Sequence, residues 1–184
     1  MPIPTEPIGS VPRTAQLLAA MTAHAQGRID SEALRTATDR AVAETVAAME
    51  ATGSPIITDG EQGKPSFATY PLVGLDSLAP DGVVMASERD RPRIYGIVSD
   101  HRRPEQRVFV GVTDPIDPVV ETAEAVRDRV LEAAGYLPAG DLGTTDDCGF
   151  APFGDDTSTA RETAFAKIKA RVDGTRLAEK VLGI

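Results

Sequence analysis

The sequence predicts a parallel α/β protein. Two consecutive units read as strand, polar loop and helix, the arrangement that places helices against a parallel sheet. Fourteen prolines and sixteen glycines punctuate the chain in short turn clusters, as frequent alternation of elements requires. At 184 residues, with 41% hydrophobic and 26% charged residues, the chain is sized and composed for one domain with a core.

Residues 1–12 form a proline-bounded lead-in, with Ile8-Gly9-Ser10-Val11 as a very short strand candidate. Pro12 fits the first turn of a helix through Leu17, Leu18 and Met21, which Gly27 ends. Asp30 or Ser31 caps the next helix, which runs to about Thr52. Its core-facing positions are Leu34, Ala37, Ala41, Thr45 and Ala48 or Met49, and Gly53 stops it. Ile56-Ile57-Thr58 is a buried-strand candidate that delivers D-G-E-Q-G-K-P-S-F at its carboxyl end.

Residues 71–106 carry a weaker pattern: a turn at Ala79-Pro80-Asp81-Gly82, an apolar run Val83–Ala86, charged stretches Glu88–Arg93 and Asp100–Arg107, and a strand candidate Ile94–Val98. They read as an antiparallel excursion or a loop, and 76–106 is taken as an irregular linking segment. Arg107–Val112 is the clearest strand. A helix follows with Ala123, Val126, Val130 and Ala133 on one face, terminated by Gly135 and Pro138. Leu142–Thr145 is a short extended segment ahead of Asp146, Asp147 and Cys148. Thr159 and Glu162 have capping-box spacing for a last helix that turns Ala160, Ala164, Ile168 and Val172 inward.

Composition narrows the function classes. With 28 acidic against 19 basic residues and a formal net charge of -9, the chain offers no basic stripe for a nucleic-acid backbone. No apolar run is long enough to span a bilayer, and M-P-I-P-T-E-P has no signal-peptide character, so no membrane partner and a cytoplasmic location are expected. A single cysteine excludes an internal disulfide.

Three polar loops leave predicted strand ends: Asp59–Gln62, Thr113-Asp114 with Asp117, and Asp146-Asp147-Cys148. If the strands are parallel neighbours these loops open on one face, and Glu61 lies across a pocket from Cys148. Two readings of Cys148 stand side by side: a small buried hydrophobe, or a thiolate, which needs a cation, base or metal nearby. His24 reads as helix surface and His101 as solvated loop. Asp117 and Asp156 read as caps. No Walker loop, dinucleotide fingerprint or H-x-H pair is present.

T-E-P-I-G-S-V-P-R-T, I-T-D-G-E-Q-G-K-P-S-F, V-F-V-G-V-T-D and D-D-C-G-F follow one another in the chain. In this order they resemble landmarks of the cobalamin-independent methionine synthase family, in its C-terminal catalytic barrel and single-domain relatives. The resemblance covers about residues 1–75 and 107–184. It implies a partial TIM-like (β/α) barrel, parallel strands with outer helices, as one domain over 1–184. It also implies a methyltransferase of methionine biosynthesis that moves a methyl group from a methylated folate to homocysteine or a related thiol. Cys148 then corresponds to a zinc ligand, Glu61 to the carboxylate holding the amino group of homocysteine, and Ile8 and Ser10 to the segment meeting its carboxylate. Asp114 corresponds to a pocket wall. No catalytic residue is assigned.

The chain departs from the family pattern in its length and its middle. A full barrel takes about 250 residues, and the part expected to carry the H-x-C pair and glutamate of the zinc site is missing, so the ligand set is incomplete. The alternative function is therefore a truncated, non-catalytic relative acting as an amino-acid-binding or structural module. The first two and last two family strands would form a half-barrel whose exposed edges favour a homodimer.

Overall fold

The computed structural model describes residues 2–64, 91–104, 106–151, 153–154 and 156–184. The turn at 79–82, the apolar run 83–86 and residues 88–90 of the charged stretch lie outside the described residues. Among the described residues, five α-helices and two strands follow in order: α1 Ala15–Ala25, α2 Ser31–Ala51, α3 Arg91–His101, β1 Val108–Gly111, α4 Ala123–Ala134, β2 Leu142–Thr145 and α5 Arg161–Leu182.

Helices α1, α2 and α4 start where a short polar side chain takes up an orphan amide. Thr14 accepts from Leu17 N at 3.2 Å, Asp30 from Ala33 N at 2.9 Å and Thr122 from Ala125 N at 3.1 Å. Pro12 thus precedes α1 instead of opening it. The proposed capping box of α5 does not form: Ala160 is the N-cap residue and has no side-chain bond. Thr159 lies one position outside the cap, and its hydroxyl donates to Pro115 O at 3.1 Å.

β1 and β2 pair in parallel, Val108 with Leu142 through Gly111 with Thr145. The N-terminal segment lies along the other edge of β2: Thr5 bridges Thr144 in parallel, Glu6 N donates to Thr144 O at 3.0 Å and Thr144 N donates to Pro4 O at 2.9 Å. The parallel α/β expectation therefore holds as a mixed fold with a small parallel sheet. A barrel is not formed among the described residues, where the sheet has two strands and one bridge.

Three strand candidates are corrected. Ile8–Val11 is an irregular segment with a bend at Gly9. Ile56–Thr58 is not a strand, and Ile56 and Ile57 are exposed; Pro55 lacks a donor and the Ser54 hydroxyl donates to Ile56 O at 2.6 Å, turning the chain before a ladder can form. Ile94–Val98 lies inside α3, so the segment 76–106 is helical over 91–101. Pro92 sits in the first helical turn, where a missing N–H costs nothing, and Tyr95 packs from this helix into the core.

The core has two parts. Val110 and Leu142 from the sheet and Val112 just after β1 pack with Val126, Val130 and Ala133 of α4, Tyr95 of α3 and Ala178 of α5. Val11, Met49, Phe150, Ala164 and Ile168 form the second cluster, which joins α2, α5 and the loops flanking the sheet. No helix among the described residues is long and apolar enough to cross a membrane.

Candidate functional site

Three loops meet beyond the carboxyl end of β2. The segment Ile8–Val11 is tied to the loop 59–64 by Val11 N donating to Gly60 O at 3.1 Å and by buried Gln62, whose Nε2 donates to Val11 O at 3.1 Å. It is tied to the Cys148 loop by Phe150 N donating to Ser10 O at 2.7 Å and Ala151 N donating to Ser10 Oγ at 3.2 Å. Gly149 permits this approach: a Cβ there would stand 2.5 Å from Ser10 Oγ. Buried Arg13 braces the far side, donating to the carbonyls of Glu61 and Phe153 at 3.2 and 3.1 Å and to that of Lys64.

Glu61 is held in a left-handed backbone conformation, φ 55°. For a residue with a Cβ this is a costly geometry, and such strain collects where a side chain must be aimed. Asp59 Oδ1 accepts from Glu61 N at 2.9 Å, and Gly60, φ 65°, supplies the preceding turn. A Cβ on Gly60 would collide with Val11 Cγ2 at 2.5 Å, so the turn and the N-terminal segment fit only with glycine. The Glu61 carboxylate lies against Gly9 and accepts from Lys64 Nζ at 2.6 Å through Oε1, which leaves Oε2 for another donor.

The loop after β2 is anchored from below. Asp146 is buried, accepts from Thr113 Oγ1 at 2.7 Å and pairs with the fully buried Arg171 of α5 at 2.5 Å. Burial raises the pKa of Asp146 and lowers that of Arg171, each partly offset by attraction to the other. Arg171 Nε and Nη2 are buried with no hydrogen-bond partner among the described residues. A second buried cation, Lys167, pairs with Glu121 at 2.8 Å and donates to Val119 O. Glu121 also accepts from Asp114 N at 2.7 Å and Arg129 Nη1 at 3.2 Å, so it pins the loop after β1 to α5. None of these cations was a sequence candidate. Their signal is weak but present: Lys167 and Arg171 share the inward stripe of Ala164, Ile168 and Val172 on α5.

Ile8, Ser10, Glu61 and Cys148 all line one cavity of about 530 Å³, with Pro115, Ile116 and Phe150 as apolar wall. Asp114 is not part of it. It lines a neighbouring cavity of about 390 Å³ along β1, and its Oδ1 accepts from Ile116 N at 2.9 Å. Asp147 lines both, standing between them. The histidines are elsewhere: His24 is on α1 beside Ser31 Oγ at 3.2 Å, and His101 ends α3, a helix where a loop was expected.

Cys148 is partly buried, so neither fully inert nor open. Burial, then the carboxylates of Asp147, Asp114 and Asp146, push its thiol pKa up. The zinc implied by the sequence resemblance requires a cluster of such donors. No group of three or more His, Cys, Asp or Glu residues suited to a metal occurs among the described residues. A zinc ion takes about four ligands, and Cys148 has no such set around it among the described residues. The donor set described does not fit the metal.

No protein-family model matches the chain, and no curated protein matches its sequence. Among solved structures it is similar to a B12-independent methionine synthase from Shewanella sp. W3-18-1 in complex with selenomethionine, with a TM-score of 0.65 and 12% identity over 100% of each chain. At that identity, what the two proteins share is the fold.

Proposed function

We propose that the chain binds a free sulfur-containing amino acid in the cavity between Glu61 and Cys148. The observation that carries this is the convergence of three segments distant in sequence, Ile8–Ser10, Glu61 and Asp147–Phe150, on one concavity of about 530 Å³. That volume lies within the usual range for small-molecule sites. Glu61 receives the ligand's ammonium through Oε2. Ser10 has used one hydroxyl lone pair on Ala151 N, so its own proton remains to be donated to the ligand's carboxylate. The ligand's side chain then runs along Ile116 and Phe150 toward Cys148. Further support comes from the fold, shared with a methionine synthase solved in complex with selenomethionine.

Titration calorimetry with L-methionine tests this. Saturable binding in the micromolar to millimolar range is expected, weakened at least tenfold by Glu61→Gln and by Cys148→Phe, which fills the sulfur end. Absence of binding, or binding indifferent to both substitutions, overturns it.

The second reading is methyl transfer from a methylated folate to homocysteine or a related thiol, favoured by the fold shared with a methionine synthase. Zinc, if bound, would supply the Lewis acidity that turns such a thiol into a nucleophile. This reading predicts stoichiometric zinc in the purified protein, lost in Cys148→Ser. The incomplete donor set around Cys148 among the described residues favours binding without transfer.

A further inference from the structure

The proposed ligand cavity is electrostatically one-sided. It is lined by the carboxylates of Glu61, Asp147 and Asp156, and no lysine, arginine or histidine lines it among the described residues. Glu61 is partly neutralised by Lys64 at 2.6 Å. Asp156 Oδ1 accepts from a backbone amide, Ser158 N at 2.8 Å. Asp147 stands beside Cys148, and the cations that offset its charge among the described residues line the neighbouring cavity. These are Arg91, which pairs with Glu132 at 3.4 Å, and Arg129, which is held by Glu121 and Val112 O. Asp114 approaches Asp147 from the loop after β1. Asp146, from below, is matched by Arg171. Among the described residues, the charged side chains lining the cavity around Cys148 are therefore carboxylates.

A ligand sulfur brought up to Cys148 enters the same field. A thiolate is repelled there, a neutral thioether is indifferent, and a sulfonium is attracted. The walls refine this choice. Ile8, Pro115, Ile116 and Phe150 present apolar surface. A sulfonium carries its charge on alkylated sulfur with no N–H or O–H to satisfy, so it can rest on such surface while carboxylates lie at the edge. An ammonium at the same place would need hydrogen-bond acceptors for three donors.

We propose that this cavity selects amino acids whose sulfur is neutral or cationic, with S-alkyl sulfonium amino acids as the preferred class, and discriminates against thiolates. The proposal rests on the reading of the cavity as a sulfur-amino-acid site and assigns the discrimination chiefly to Asp147.

Calorimetry on the full chain separates the two levels. L-methionine, S-methyl-L-methionine and L-homocysteine are titrated at pH 6.5 and pH 9.5. S-methyl-L-methionine is expected to bind about tenfold tighter than L-methionine. Homocysteine is expected to lose about tenfold against methionine between the two pH values, as its thiol ionises near the ordinary value of about 8.5; taking the ratio cancels ionisation of the shared ammonium. Asp147→Asn, at an exposed position that leaves the fold's buried pairs intact, is expected to reduce the sulfonium preference to about threefold or less. Equal binding of sulfonium and thioether, or homocysteine gaining on methionine at high pH, overturns the proposal while leaving a sulfur-amino-acid site in place. An undiminished preference in Asp147→Asn overturns the assignment to Asp147. Failure of all three compounds to bind overturns the underlying reading itself.

Discussion

Arg171→Met removes the cation from the pair that holds the Asp146-Asp147-Cys148 loop on α5. Both side chains are out of solvent, at 0% and 1% exposure, and once the guanidinium is gone the Asp146 carboxylate retains the Thr113 hydroxyl as its side-chain donor. Stranding one partner of a buried pair costs about 3–5 kcal/mol, and methionine refills much of the volume, so most of the loss is electrostatic. A domain of this size has roughly 5–15 kcal/mol of stability to lose, so the variant remains foldable. The pH dependence follows from Asp146. Burial already holds its pKa above the ordinary value, and losing Arg171 removes the largest opposing influence. A folded-state pKa above the unfolded one, about 3.9, means that the bound proton favours the fold at low pH and that stability falls as pH rises through the folded value. Urea denaturation at pH 4.5 and 7.5 is therefore expected to show a smaller penalty at the lower pH. The double variant Asp146→Leu with Arg171→Met is expected to recover at least 1 kcal/mol over Arg171→Met at pH 7.5, since replacing both charges by apolar groups leaves none stranded. A penalty below about 1 kcal/mol at pH 7.5, the range of a surface pair, or a double variant no more stable than the single, refutes the reasoning.

Gly174→Ala should destabilise by about 1–3 kcal/mol, although alanine is the better helix former, because the new Cβ would stand 2.5 Å from Val126 Cβ and 2.7 Å from Ala123 O where α5 crosses α4. Thermal melting checks this, and a stabilised variant would mean that the two helices are not so closely packed. Glu61→Gly relieves the left-handed strain at φ 55° while removing the Lys64 pair; stability within about 1 kcal/mol of the parent together with loss of methionine binding is expected. Asp147→Asn should raise the melting temperature at pH 7 and lose that advantage below about pH 4. The Asp147 carboxyl, partly desolvated and facing Asp114, has a raised pKa, so its charge disfavours the fold as pH rises.

What was legible in the sequence was mostly local. Asp30 capping α2, the Val126, Val130 and Ala133 stripe of α4, and the strand at Val108–Gly111 are each decided within a few residues by capping, periodicity and β-branched content. Ile94–Val98 is helical where the sequence suggests a strand, because an apolar run this short suits either, and the decisive cue, Pro92 in a first helical turn, is weak by itself. At the site, the glycines and carboxylates of the Glu61 and Cys148 loops stood out as polar loops leaving strand candidates. The residues that brace them did not: Arg13, Lys167 and Arg171 look like ordinary surface charges until a partner from a distant segment buries them.

By itself the sequence determined the alternation of helix and strand, the acidic balance, and the order of the loops in which Ile8, Glu61 and Cys148 occur. Only the tertiary structure decided that these three line one cavity, that Asp114 faces a different one, and that among the described residues the cavity around Cys148 is lined by carboxylates and by no cation. The physical reason is range: caps and periodicity act over three or four residues along the chain. Burial and Coulomb interactions act through space, between groups whose sequence separation here exceeds a hundred residues.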